Sequence, residues 1–285
     1  VTGGGAPPVA LTIAGSDSGS GAGIQADIRA MAAFGVLAAT AVTAVTAQNT
    51  AEVRYVHPVP PDVVDAQIGA VLDDLPVAST KTGMLGSCAV VERVAARAGR
   101  NELPHLVVDP VLVSSTGRPL VDAEGVAAYR TELLPKALVA TPNTREAVVL
   151  AGTDTPPAGT EAMAELARRI AELGPDWVLV TGGHLPGVEG GGPRPDQVAD
   201  VLFDGREVTV LSEPWVETTN THGTGCSLSA ALAANLALGL DVPEAAVAAK
   251  RFVHAALVGA REWRLGAGHG PIDHLGWAAR PATEA

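Results

Sequence analysis

The 285-residue sequence predicts an α/β protein with a mostly parallel central sheet flanked by helices, on three observations. Short β-branched runs alternate with longer Ala-rich stretches whose apolar residues recur at helical spacing, the pattern of βαβ units. Hydrophobic residues make up 47% of the chain but aromatics only 3%, so the core must be built from Ala, Val and Leu, which suits parallel strands covered by helices. Polar and glycine-rich segments recur where the strand runs end, and the carboxyl ends of strands in an open α/β sheet form its ligand-binding edge.

Taken in order, residues 9–14, 38–46, 77–81, 106–109, 138–140 and 177–181 are predicted to be buried strands. Helices are predicted over 24–34, 61–74, 89–98, 123–133, 144–150 and 160–173, several opening on Pro, Asp, Asn or Thr. After Gly182 the pattern changes. Residues 197–204 and 207–212 flank the turn dipeptide Asp204-Gly205 and predict an antiparallel hairpin at a sheet edge. Two long helices, 225–238 and 243–264, close the chain. Residues 187–195 are expected to form a mobile surface loop, 1–8 a flexible start, 277–285 a tail, and 9–276 one domain.

The net charge is −12 and no Lys/Arg-rich stretch is present, which argues against a nucleic-acid partner. The two cysteines, Cys88 and Cys226, lie far apart and outside any Cys-x-x-Cys motif, so neither a disulfide framework nor a zinc site is indicated. No window reaches the roughly 18 uninterrupted apolar residues of a membrane span. A cytoplasmic location without a membrane partner is the expectation.

The strongest motif is Asn220-Thr221-His222-Gly223-Thr224-Gly225-Cys226, running directly into an Ala-rich helix. Glycines at a helix start let the backbone approach a ligand, and the first-turn N–H groups point at it with the positive end of the dipole. That makes an anion hole; the plainer reading is a Gly-rich helix entrance beside a buried cysteine. A second motif, Gly15-Ser16-Asp17-Ser18-Gly19-Ser20-Gly21-Ala22-Gly23, lies between the first strand and first helix. It is neither a Walker A loop nor the dinucleotide fingerprint, and remains either a loop closing over substrate or a flexible connection.

Gln48, Asn49, Lys81 to Met84, Asp109 and Thr141-Pro142-Asn143 all stand where strands should end. Singly, Asp109 could be a helix cap and Met84 plain core. The spacing Asn143-x-x-Glu146 at a helix start fits a capping box, and it also fits oxygen ligation of Mg²⁺ by Asp109 and Glu146, partly through water.

Together these blocks resemble the ribokinase superfamily, and within it the hydroxymethylpyrimidine/phosphomethylpyrimidine kinases. Thr12 to Asp17, Gly21 to Asp27, Thr46 to Thr50, Lys81 to Leu85, Val108 to Val111, Thr141 to Asn143, Gly182 to Leu185, Asn220 to Leu228 and Gly268-His269-Gly270-Pro271 carry the resemblance in order along the chain. The resemblance implies a ribokinase-like three-layer fold, a homodimer, and ATP-dependent phosphorylation of a hydroxymethylpyrimidine and its monophosphate. It implies a pyrimidine pocket of Gly15, Ala22, Asp27, Gln48, Met84 and Val111, with Gln48 and Asp27 hydrogen-bonded to the ring. Asn143, Thr181, Thr219 and His222 would meet the nucleotide, and Asp109 and Glu146 the Mg²⁺. Gly223, Thr224, Gly225 and Cys226 would form the catalytic anion hole, with Cys226 as general base and its thiol pKa lowered by the helix N-terminus. Thr181 stands where the resemblance leads one to expect lysine. Pyridoxal kinase and a non-catalytic pyrimidine sensor are the competing readings.

Overall fold

The computed structural model describes residues 5–113, 120–183 and 196–279; the loop expected over 187–195 lies outside them. In chain order the elements are β1 (Val9–Ala14), α1 (Gly23–Ala33), β2 (Leu37–Val42), β3 (Ala44–Gln48), β4 (Val53–Pro58), α2 (Pro61–Asp74), β5 (Val77–Thr82), α3 (Cys88–Gly99), β6 (Leu106–Val108), α4 (Ala123–Ala128), β7 (Val139–Ala140), α5 (Thr144–Leu150), α6 (Thr160–Ala171), β8 (Trp177–Val180), β9 (Gln197–Phe203), β10 (Val208–Pro214), α7 (Thr224–Ala237) and α8 (Val242–Ala260).

Eight strands form one sheet in the order β10-β9-β8-β7-β6-β5-β1-β2. The six from β8 to β2 run parallel, and the β9–β10 hairpin closes one edge antiparallel. Strand order reverses around β1, which lies between β2 and β5, so the carboxyl end of β1 sits at the switch point where open α/β sheets bind ligands. Alternation along the strands fills two cores. Leu11, Val108 and Val180 pack with α2, α3, α5 and α6 on one face, while Ala10, Val107 and Leu179 pack with α1, α7 and α8 on the other. Three layers result.

The run expected as a single strand over 38–46 divides at Thr43. Its N–H donates to Ala14 O (3.0 Å), its carbonyl accepts from Val59 N (2.9 Å), and its Oγ1 donates to Met84 O (2.6 Å). Past this point the chain leaves the main sheet, and β3 pairs antiparallel with β4, a strand the sequence reading missed. One face of this two-stranded flap, Val45, Ala47, Tyr55 and His57, is exposed. The helix expected over 123–133 also changes character: α4 ends at Ala128, a π-helical turn spans Tyr129–Leu133, and a 3-10 turn Leu134–Lys136 carries Pro135. The last long helix stops at Ala260 rather than 264, where the Ala260 carbonyl accepts from Asn220 Nδ2 at 2.7 Å.

α7 is hydrophobic nearly all round and lies between the sheet and α8, tied to β5 by Ser79 Oγ donating to Ala233 O at 2.7 Å. Leu232 on this helix is fully buried. Leu232→Ala is expected to lower stability by about 2–5 kcal/mol, read from the urea midpoint, through lost transfer energy and a residual cavity. A loss under about 1 kcal/mol would mean that α7 is not packed as described.

Candidate functional site

The loop after β1 is organised by one carboxylate. Asp17 is buried, with Oδ1 accepting from Gly19 N (2.8 Å) and Oδ2 from Gly21 N (3.0 Å), Ala22 N (2.8 Å) and His222 Nε2 (2.8 Å). Burial opposes its charge, but the hydrogen bonds from His222 and from the Ala22 and Gly19 N–H groups hold its carboxyl below the usual range. The glycine loop is therefore a folded nest and not a loose connection. Gly23, at φ 58°, donates its N–H toward the Cys226 sulfur.

Against this nest sits the N-terminus of α7. Gly223 is left-handed (φ 85°), and a Cβ there would overlap the Gly21 carbonyl oxygen, so the two glycine segments meet backbone to backbone. The same segment is strapped from behind. His222 N donates to Gly270 O (3.1 Å), Asn220 Nδ2 to Ala260 O and Trp263 O, and Ser227 Oγ to Gly223 O (2.7 Å). His274 Nε2 lies 2.7 Å from Ser227 Oγ, and burial pushes this histidine down to about 4, so it is neutral at physiological pH. The first turn of α7 thus faces the strand edge, with Gly225 exposed and Cys226 half-buried.

Beneath that turn lies a buried charge cluster. Lys81 Nζ reaches Asp27 at 2.9 and 3.0 Å and Asp109 Oδ2 at 3.8 Å, and Thr12 Oγ1 donates to Asp27 Oδ2 at 2.6 Å. Burial opposes the ammonium, but Asp27, with Cys226 and Asp109, holds its pKa above the usual value. Asp109 accepts from Ser229 Oγ at 2.9 Å and is pushed up to about 6 by burial, with Lys81 pulling the other way. Glu146 is raised well above the usual range by burial and by the charge of Asp109, although the Asn143 N–H donates to it at 2.9 Å. Two buried carboxylates that repel one another form a hard, oxygen-only donor set, which fits a divalent cation such as Mg²⁺.

This cluster corrects two expectations. Asp27 does not offer its carboxylate to a ring, because both oxygens are engaged with Lys81 and Thr12 in the core. Cys226 is not lowered: burial pushes its thiol up to about 12, with the charges of Asp109 and Asp27 adding to the rise and Lys81 and the Gly23 N–H favouring the thiolate.

The other expected residues gather at the same edge. Gly15 lies against Met84, whose methyl would clash with a Cβ at that position, and Val111 follows Asp109 on the loop after β6. Gln48 ends β3 with its backbone held by Ser18 Oγ in both directions at 2.7 Å. Asn143 and Glu146 form a complete capping box on α5, so the plainer reading of that spacing holds, and Asn143 also bridges Thr181. Thr219 is exposed, its carbonyl accepting from His269 Nδ1 at 3.2 Å. The His222 imidazole, expected at the nucleotide, turns instead toward Asp17 and Gln48.

Beside Thr181 lies an arrangement the sequence reading did not single out. Gly182 N donates to Asp200 Oδ1 at 2.9 Å, and Asp200 Oδ2 pairs with Lys250 Nζ at 2.8 Å, both side chains largely buried. A cavity of about 390 Å³ opens between the segment following β10 and α8, lined by Trp215, Val216, Glu217, His254, Val258 and Arg261. Trp215 Nε1 is buried there without a partner. Chain adjacency to the 220–226 motif was the only available signal for this cavity, since its residues share no spacing.

The phosphomethylpyrimidine kinase family matches this chain over residues 17–273. A hydroxymethylpyrimidine/phosphomethylpyrimidine kinase of Rhizobium meliloti is 45% identical over 271 residues, covering 94% of this chain and 97% of that protein. Among solved structures, an ADP complex of Bacillus subtilis pyridoxal kinase is 36% identical with a TM-score of 0.84, covering 96% of this chain and all of that one. A phosphomethylpyrimidine kinase of Clostridium difficile is 33% identical with a TM-score of 0.74, covering 87% of this chain and 99% of that one.

The strain on Asp109 has a measurable consequence. Its pKa rises from 3.8 to about 6 on folding, so the native state binds more protons between these values. Its contribution to stability is fully present below the lower value and is lost as pH rises through the upper one. Asp109→Asn removes the penalty, and the melting temperature of the ligand-free variant should exceed the parent's by a margin that grows from pH 4 to pH 8, reaching roughly 2–6 °C. A margin that shrinks with pH would show that Asp109 is not strained in the fold.

Proposed function

The chain belongs to the phosphomethylpyrimidine kinase family, and we propose that Gln48, the N-terminus of α7 and Cys226 divide its chemistry into ring recognition, charge stabilisation and proton removal. It is an ATP-dependent kinase of thiamine biosynthesis, converting 4-amino-5-hydroxymethyl-2-methylpyrimidine and its monophosphate to the diphosphate. The observation that carries the division of labour is the backbone contact between Gly21 and Gly223, which brings the α7 N-terminus over the carboxyl end of β1.

The pyrimidine occupies the space among Gly15, Ala22, Gln48, Met84 and Val111, with its hydroxymethyl group toward Cys226. That oxygen attacks the γ-phosphorus of ATP in line, and the N–H groups of Gly223, Thr224, Gly225 and Cys226 receive the charge of the transferred phosphoryl. Asp109 and Glu146 would hold Mg²⁺, which supplies charge neutralisation at the phosphates when bound. Cys226 accepts the hydroxyl proton as thiolate; Lys81 favours that form and the Asp109 charge opposes it. Asn143, Thr181 and Thr219 meet the phosphates, and the cavity lined by Trp215, Val216 and Val258 takes the nucleotide base.

Several coarser features belong to the same proposal. Residues 9–276 act as one catalytic unit, and the two free cysteines suit a reducing cytosol. No helix among the described residues is long and apolar enough to cross a membrane. The exposed Val45 and Tyr55 of the flap offer an apolar surface for a homodimer. Pyridoxal remains a second candidate alcohol because the Bacillus subtilis pyridoxal kinase shares the fold at 36% identity.

Cys226→Ala should lower kcat by roughly 10²–10⁴-fold while leaving pyrimidine binding nearly intact, the range for loss of a general base. Because the thiol sits at about 12, parent kcat should rise steadily from pH 7 to pH 9 as thiolate accumulates, and the variant should lose that rise. Unchanged kcat in an ADP-release assay would remove Cys226 from the mechanism.

A further inference from the structure

We propose that His222 is a positioning residue for substrate recognition: its Nε2–H, fixed by Asp17, turns the Gln48 amide so that the NH₂ group faces the pyrimidine ring. The proposal rests on the placement of the ring against Gln48. The Gln48 amide end placed as Nε2 lies 3.2 Å from His222 Nε2, and that His222 nitrogen lies 2.8 Å from Asp17 Oδ2.

Asp17 is held ionised by three backbone donors, so the imidazole nitrogen facing it carries the proton. A protonated Nε2 can share its hydrogen between the carboxylate and a second acceptor, but it cannot accept from an amide N–H. Two donors cannot face each other, so the Gln48 amide is assigned turned over from that placement, with its carbonyl Oε1 toward His222, since amide ends are distinguished by their partners. The NH₂ group is then left on the side away from His222, where it can donate to a ring nitrogen of the proposed pyrimidine.

The rest of the geometry leaves little freedom for another arrangement. Ser18 pins the Gln48 backbone from both its N–H and its carbonyl, so only the side chain can adjust. The His222 ring lies on Gly21, where any Cβ would overlap its Cδ2, and its main-chain N–H is taken by Gly270 O. His222 thus connects the glycine loop, the flap and the start of α7. A histidine adjoining the anion hole would here act on the ring end of the substrate and not on phosphate.

The test is a double-mutant cycle on pyrimidine KM, with ATP KM and kcat measured in parallel. Gln48→Ala should raise pyrimidine KM about 10-fold, and His222→Phe, which keeps a ring on Gly21 but no N–H, should reproduce about the same rise. Because His222 acts through Gln48, the double variant should stay within about 2-fold of Gln48→Ala alone, with ATP KM unchanged. His222→Gln, which keeps an N–H donor, should restore pyrimidine KM to within about 3-fold of the parent.

Multiplying effects, near 100-fold in the double variant, or a His222→Phe enzyme with parental KM, would overturn the role. If His222→Phe does not fold, His222→Gln decides: a KM rise equal to that of Gln48→Ala contradicts the proposal. No effect of Gln48→Ala would instead show that the ring does not lie against Gln48, and both readings would fall.

Discussion

A single carboxylate holds the two halves of the site together. Asp17 gathers the N–H groups of Gly19, Gly21 and Ala22 from the β1–α1 loop and the imidazole of His222 from the entrance to α7. Charge-assisted hydrogen bonds of this kind are stronger than neutral ones, and burial strengthens them further. The three backbone donors fold the glycine loop around Asp17, and the close contact of Gly21 with Gly223 and the straps on His222 N and Asn220 hold that loop against α7 together with the imidazole. The proposed anion hole, the Gln48 amide and the Cys226 thiol all adjoin this junction.

The second constraint is electrostatic. Lys81 with Asp27 and Asp109, and Glu146 beside them, place one buried cation among three carboxylates. Such a cluster gives little net stability, since desolvation offsets most of the attraction; removing Lys81 would leave the carboxylates unpaired, whereas Asp109 is in excess of the Lys81–Asp27 pair. On the proposed reading its value is to the chemistry: a site too negative for its surroundings would favour the arrival of a divalent cation with the nucleotide. The upward shift of Cys226 comes first from burial, with Asp109 and Asp27 adding to it, and a thiol can remain protonated until the site is loaded.

Most of the architecture was legible because hydrophobic period and glycine placement are local signals. Five of the six expected parallel strands, the edge hairpin over Asp204-Gly205 and the glycine-led entrance to α7 stand where the sequence placed them, and the remaining strand only as far as Val42. The split at Thr43 was not legible, since β2 and β3 form one uninterrupted β-prone run and only the contacts to Ala14, Val59 and Met84 divide it. At the site, residue types were readable but their partners were not. Asp27 and Lys81 are 54 positions apart, so nothing local reveals that they neutralise each other. Asp200 and Lys250 beside Gly182, and the cavity around Trp215, depend on the hairpin meeting α8, which spacing does not disclose.

The most direct measurement is steady-state turnover of Asp17→Asn with Mg-ATP and the hydroxymethylpyrimidine, set beside its urea midpoint. An asparagine keeps the size of the side chain but cannot accept all four hydrogen bonds, so the glycine loop loses its seat on α7. The account predicts a fall in kcat/KM of roughly 100-fold, larger than any shift in stability would explain, because a small misplacement of the groups around the reacting atoms has that cost. Turnover within about 2-fold of the parent would show that the junction does not govern the site.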